Sequence, residues 1–260
     1  MIYRTTRYLL IALALLLSQS SAIAGSGAPW TKVVAEDKTS YALKVLFIGN
    51  SILYVGETPV AFAAAVKMSE PNRQLKITEV VGSSYSLSDH VLDGMASDVL
   101  KKGGPWDYVV LQPGSSEFDR KDTNATMEAL KTFVDEAKAA RATPILYEWY
   151  GADNNEEYKV DRARVIAACK QLGIDMIPMQ TTMAYLQQKN PRLELKKDRT
   201  HLNDNGVFTA VCVLYSKLLG KNPSGLQSSI AVGDEKLQVS QSDVTAIKDI
   251  AWRACQIPTR

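Results

Sequence analysis

Five short apolar runs separated by longer amphipathic stretches set the tightest limit on how this chain folds. Val45-Leu46-Phe47-Ile48 and Tyr108-Val109-Val110-Leu111 show no polar alternation, so strands made from them must be covered on both faces. The pattern predicts strands at Lys44–Ile48, Leu75–Val81, Asp107–Leu111, Pro144–Glu148 and Asp175–Pro178. Between and after them it predicts helices over 59–69, 86–101, 124–140, 156–172, 180–189, 205–219 and 241–255. Strand and helix alternating in this way predict one α/β domain with a parallel sheet between two helical layers. In such sheets ligands bind at the carboxyl ends of the strands, so the polar residues just past each strand are the ones to inspect.

The first 24 residues stand apart from this pattern. Arg4 and Arg7 precede the apolar run Tyr8–Leu17, and Ala22-Ile23-Ala24 follows a polar patch, the layout of a signal peptide cleaved near Ala24. The run falls short of the about 20 residues that span a bilayer, so no stable membrane anchor is expected. Export to the periplasm or beyond is the expectation, with residues 25–42 an irregular lead-in and 43–260 the single domain. Without the leader's two arginines, basic and acidic side chains balance at 28 each, which leaves no electrostatic footprint for nucleic acid. The three cysteines, Cys169, Cys212 and Cys255, form no C-x-x-C pair. One bridge such as Cys212–Cys255 would still leave a thiol free.

Only two histidines, His90 and His201, are available for acid–base work near neutrality. A three-histidine metal site is excluded, and no glycine-rich nucleotide cradle follows a strand, so neither metal nor cofactor is expected. His201 lies in Asp198-Arg199-Thr200-His201, where a turn folds the Asp198 carboxylate back onto one ring nitrogen and leaves the other facing outward as a base. Ser51, directly after the first strand and behind Gly49, is placed to present its hydroxyl at the sheet edge. It becomes a nucleophile only where a base takes its proton. His90 has no comparable partner and reads as structural. Tyr54, Trp149 and Tyr150 follow strand ends and are placed to line a pocket mouth.

Gly49-Asn50-Ser51 after one strand, Gly82 after the next, a polar loop after the third and Asp198-x-x-His201 near the end resemble the ordered blocks of the SGNH (GDSL-like) hydrolase superfamily. Phe47-Ile48-Gly49-Asn50-Ser51, Val110-Leu111-Gln112 and Asp198–Asn205 resemble a little-characterised exported bacterial branch of it. The resemblance spans residues 43–220 and implies a flavodoxin-like three-layer α/β/α sandwich with five parallel strands in the order 2-1-3-4-5. It further implies Ser51 as nucleophile, His201 as its base and Asp198 as the residue orienting His201. The backbone N–H groups of Ser51 and Gly82 would form the oxyanion hole. Two departures stand out. Asn50 replaces the usual Asp, and Gln112-Pro113-Gly114-Ser115-Ser116-Glu117 replaces the usual Gly-x-Asn-Asp. Gln112, with the same amide donor on a longer arm, is taken as the third oxyanion donor, and aligning Gly114 with the family's Gly would put Ser116 there instead.

The expected activity is therefore an exported serine esterase removing small acyl groups, such as acetyl, from a small-molecule or carbohydrate ester. The sugar part rests on analogy. The same triad also serves an acyltransferase, and the altered third block leaves room for a non-catalytic carbohydrate-binding or assembly module.

Overall fold

The computed structural model describes residues 28–37, 43–114, 117–118, 123–149 and 155–258. The leader segment 1–24 lies outside them. Five strands run parallel: β2 (Leu43–Asn50), β3 (Leu75–Gly82), β4 (Tyr108–Leu111), β5 (Thr143–Tyr147) and β6 (Asp175–Ile177). Their order, β3-β2-β4-β5-β6, is the expected 2-1-3-4-5.

Alternate residues of β2 feed two separate cores, as a strand covered on both faces requires. Val45 and Phe47 face α2 (Thr58–Ser69), α7 (Met179–Lys189), α8 (Asp204–Leu219) and α9 (Val244–Gln256). Leu46 and Ile48 face α3 (Leu87–Asp93), α4 (Met95–Gly103), α5 (Asn124–Ala139) and α6 (Asn155–Leu172). The three-layer sandwich follows from that division. Among the described residues, no helix is long and apolar enough to cross a membrane.

Two expectations need correction, and the open question of a disulfide is answered. The lead-in 25–42 is not wholly irregular: Trp30–Glu36 forms β1, antiparallel to β3, so the sheet has six strands and one antiparallel edge. Its sequence is too polar to read as a core strand, and main-chain pairing with β3 holds it. A register shift between Val33 and Ala35 irregularises this outer strand, as edges often show. The single helix expected over 86–101 is two, because Gly94 at φ +84 ends α3 in the left-handed conformation before α4 begins. No bridge joins the cysteines. Cys169 and Cys212 are fully buried, and Cys255 is partly so. A two-stranded hairpin, β7 (Ala231–Val232) with β8 (Glu235–Lys236), also went unread.

One buried charge sits where β1 covers the sheet. Glu79 of β3 is 2% exposed, opposite Lys32 of β1, with its Oε2 without a hydrogen-bond partner among the described residues. Burial raises its carboxyl to about 7, opposed by the Lys32 ammonium and reinforced by the Glu57 carboxylate. An acid whose folded pKa lies above its unfolded value costs stability as pH rises through that interval, here from 4.5 to about 7. Glu79→Gln removes that cost. Its melting temperature should match the parent's near pH 4.5 and exceed it above pH 7 by roughly 3–8 °C, for a penalty on the order of 1–3 kcal/mol. A constant gap across that range in thermal melts would contradict this.

Candidate active site

The carboxyl end of β2 passes into α1 (Ser51–Tyr54) with no intervening loop. Asn50 makes the join. Its Oδ1 accepts the Ile52 N–H at 3.1 Å as a helix cap, its Nδ2 donates to the Tyr85 carbonyl at 2.9 Å, and its own N–H donates to Gln112 Oε1 at 2.9 Å. An aspartate could cap Ile52 but could not donate to Tyr85, which gives the Asn50 departure a physical role. Gly49 is required by close approach: a Cβ there would stand 2.5 Å from Gln112 Oε1 and 2.8 Å from Leu53 Cδ1. Ser51 thus emerges from the strand at the rim, on a short helix whose orientation three neighbouring segments fix.

The second half of the site is the loop between Lys196 and Leu202, which are paired as an isolated bridge. The His201 carbonyl accepts the Lys197 N–H at 2.9 Å and closes the turn. Asp198 sits inside it as a triple acceptor. Oδ1 takes the N–H groups of Thr200 and His201, each at 2.8 Å, and Oδ2 takes His201 Nδ1 at 2.8 Å. These bonds, led by the His201 backbone N–H, hold the Asp198 carboxyl well below the usual carboxylate range although the side chain is half exposed. With Nδ1–H given to Asp198, His201 Nε2 is left as acceptor and lies 3.0 Å from Ser51 Oγ, 150 positions away in sequence. The three side chains the sequence singled out stand in one hydrogen-bonded line.

The remaining candidates divide. Gly82 closes β3 opposite Asn50, next to the nucleophile's strand end, and the Tyr85 ring packs where a side chain would go (2.5 Å from an added Cβ). Gln112 is not at the cavity. It is fully buried, with Oε1 on the Asn50 N–H and Nε2 on the Pro113 carbonyl, so its amide is engaged by backbone and is not aimed at the nucleophile. That corrects its reading as oxyanion donor: the longer arm of Gln folds back to brace the junction beneath Ser51. Ser116 lies outside the described residues, as does Tyr150. Trp149 is buried, with the Lys196 ammonium 5.7 Å from its ring centroid, and Tyr54 packs edge-on against Trp30. His90 is structural: fully buried, its Nε2–H donating to the Gly49 carbonyl at 2.7 Å, with burial disfavouring its charged form.

A cavity of about 530 Å³ opens over Ser51 and His201. Two carboxylates the sequence reading passed over line it. Glu117, 5% exposed, accepts the N–H groups of Gly114 and Leu87, and burial raises its carboxyl. Asp89 closes a capping box with Ser86 at the start of α3. Glu117 sits three residues past Gly114, and only the fold reveals that it ties that loop to α3. Farther along the rim Glu148, fully buried and raised to about 7 by burial, accepts from Thr181 N and Oγ1 and does not line the cavity.

A parallel α/β/α sheet carrying a serine–histidine–aspartate line at its carboxyl rim defines a class of proteins, and solved structures agree. An SGNH hydrolase from Slackia heliotrinireducens superposes with a TM-score of 0.55 at 18% identity, covering 66% of this chain and 97% of its own. LAE5, an alpha/beta hydrolase enzyme from the metagenome of Lake Arreo, matches at 0.55 and 18%, covering 69% and 96%. A member of the lipolytic G-D-S-L family from Veillonella parvula matches at 0.52 and 15%, covering 67% and 97%. No family model and no curated protein matches the sequence. The chain has the fold of the SGNH hydrolases.

The triad loop depends on one tight contact. A Cβ on Gly206 would fall 2.0 Å from the Leu195 carbonyl oxygen, the same oxygen that accepts the Asn203 N–H at 3.2 Å and so ties α8 to the loop. Gly206→Ala must push the loop away. It should destabilise the fold by about 1–3 kcal/mol, as overpacking does. Because sub-ångström placement matters to proton transfer, it should also lower kcat by on the order of 10²-fold. Paired melting and steady-state measurements test both, and a loss of stability with kcat intact would detach the loop from catalysis.

Proposed function

We propose that this protein is an exported serine ester hydrolase that works through an acyl-serine intermediate and removes small acyl groups, acetyl above all, from a carbohydrate. The observation that carries the proposal is the 3.0 Å hydrogen bond between Ser51 Oγ and His201 Nε2, with Asp198 on the far side of the ring. In this reading Ser51 Oγ attacks the ester carbonyl while His201 Nε2 takes its proton. The Asp198 carboxylate stabilises the imidazolium, and the N–H groups of Ser51 and Gly82 receive the developing oxyanion, with Ser116 now the candidate third donor. Collapse expels the alcohol, which takes the proton back from His201. Water then enters, gives a proton to His201 and attacks the acyl-serine; collapse breaks the bond to Ser51 Oγ, which takes the proton back from His201 as the acid leaves.

The cavity supports the small-acyl, polar-alcohol part. Ser84, Ser86, Thr200, Asp89 and Glu117 face it, and Ile52 is the apolar side chain among its described lining. A long acyl chain gains its binding energy from apolar surface, about 25 cal/mol per Å² buried, and finds little here. Hydroxyl-rich alcohols find donors and acceptors. Export rests on the basic-apolar-small pattern of the first 24 residues.

Ser51→Ala should abolish hydrolysis of a chromogenic acetyl ester by the 25–260 chain. Asp198→Asn should lower kcat by up to about 10⁴-fold, the cost of the wrong histidine tautomer in such triads. Hydrogen bonds hold the Asp198 carboxyl ionised below the usual carboxylate range, so protonation of Asp198 should add no step to the acid limb of log kcat/KM between about pH 4 and 7. Equal rates in parent and Ser51→Ala would end the proposal. Acyl length gives an independent check: kcat/KM should fall by about tenfold or more from acetyl to octanoyl esters, since the longer chain has no apolar surface to bury. A rise with chain length would point to a lipase instead.

A further inference from the structure

Resting on the carbohydrate reading above, we infer that Trp30 and Tyr54, with the Lys32–Glu57 ion pair beside them, form a binding subsite for a pyranose ring of the substrate's glycan, outside the cavity that holds Ser51. The placement comes from the ladder. Trp30 pairs with Val81 and the next residue of β3, Gly82, pairs with Asn50, so Trp30 stands at the same rim as the nucleophile, on the neighbouring edge strand. Tyr54 is three positions after Ser51 in α1, and residues three apart share a helix face. The two rings meet at 4.8 Å between centroids and 63°, an edge contact. Trp30 is 39% exposed, an uncovered share that is unusual for so large an apolar ring.

A lone surface aromatic would need no explanation, but this one has polar company of a specific kind. Lys32 lies two residues from Trp30 on β1, hence on the same face, and its Nζ reaches Glu57 Oε1 at 3.4 Å with both side chains about four-tenths exposed. Glu57 holds φ +47, a left-handed conformation that non-glycine residues rarely adopt. It heads α2 without giving its side chain to the cap. The strained backbone turns the carboxylate outward to Lys32 instead. An apolar ledge bordered by an exposed cation and anion matches a sugar ring, which offers C–H groups on one face and hydroxyls around its edge. The near-neutral pair suits a neutral glycan better than an anionic polymer or a fatty chain.

The test uses Ser51→Ala protein, residues 25–260, titrated calorimetrically with neutral cello-, xylo-, manno- and chito-tetraoses. At least one should bind. Trp30→Ala in that background should weaken it by about tenfold, the size of one aromatic contact, Trp30→Phe by less, and Lys32→Ala measurably. Thermal melts of each variant guard against misfolding. In the active chain, Trp30→Ala should raise KM for the acetylated form of the bound oligosaccharide by a similar factor. Binding of none of the four, or equal binding by parent and both Trp30 variants, overturns the subsite. So does a sedimentation result in which Trp30→Ala changes self-association instead, which would make the ledge a contact between copies. Ser51-dependent cleavage of the chromogenic ester with no glycan bound would leave the esterase reading standing and remove only the subsite.

Discussion

The Asn50 side chain and N–H bear on almost everything at the rim. One residue closes the central strand, caps the helix that carries the nucleophile, and joins β2 to the loops after β3 and β4 through Tyr85 and Gln112. A serine hydroxyl has little nucleophilicity of its own, and its value depends on being held within hydrogen-bond reach of a base. The short helix α1 has only four residues and could not hold that position by its own hydrogen bonds. Its orientation is imposed from beneath. His90 enters the same scheme from the other side, donating to the Gly49 carbonyl from a fully buried position, so the chain's second histidine supports the strand end on which the first one's partner sits.

The two halves of the site are built on opposite principles. Ser51 is fixed by the sheet and by buried amide–backbone bonds. Asp198 and His201 lie on a loop that is half exposed and is made rigid by its own turn: a carboxylate accepting from two backbone N–H groups and a ring is a small folded unit in itself. Four main-chain and amide bonds around Glu194, Leu195 and Asn203 then dock that unit onto the start of α8. The same bonds that position the imidazole keep its partner ionised, because a carboxylate accepting three hydrogen bonds has little tendency to take up a proton.

Most of the architecture was legible because it is written in periodicity. The runs at 45–48 and 108–111 must be covered on two faces, and the helices between them must do the covering, which fixes the layers, while the strand order followed from the resemblance to the SGNH blocks. The hydrogen-bonded line of Ser51, His201 and Asp198 was legible because Ser51 and Asp198-x-x-His201 belong to an ordered pattern that no single block carries. What the sequence hid was whatever depends on main-chain pairing or side-chain reach. β1 is held by its ladder to β3, not by an apolar pattern, so Trp30–Glu36 looked irregular. Gln112 offered the right chemical group at the right strand end, but a side chain two methylenes long can fold back, and here a buried backbone N–H claims it. Glu117 gave no local signal, since its partner Leu87 opens α3, thirty positions away in sequence.

The carboxylates lining the cavity create an electrostatic problem that bears on the chemistry. Ester attack builds negative charge on the carbonyl oxygen, and anionic groups nearby oppose it. Glu117 meets this in part through its environment: burial raises its affinity for a proton, although the N–H groups of Gly114 and Leu87 that it accepts favour the charged form and oppose that rise. Asp89 spends its acceptors on the Ser86 N–H and hydroxyl at the start of α3. With Gln112 occupied beneath the strand, the oxyanion hole proposed above rests first on the backbone N–H groups of Ser51 and Gly82, at the ends of β2 and β3, where dipoles fixed by the sheet would need no reorganisation as charge develops. The same arrangement works against anionic substrates while leaving hydroxylated ones unopposed. The wall that makes catalysis harder thereby also narrows what the site admits.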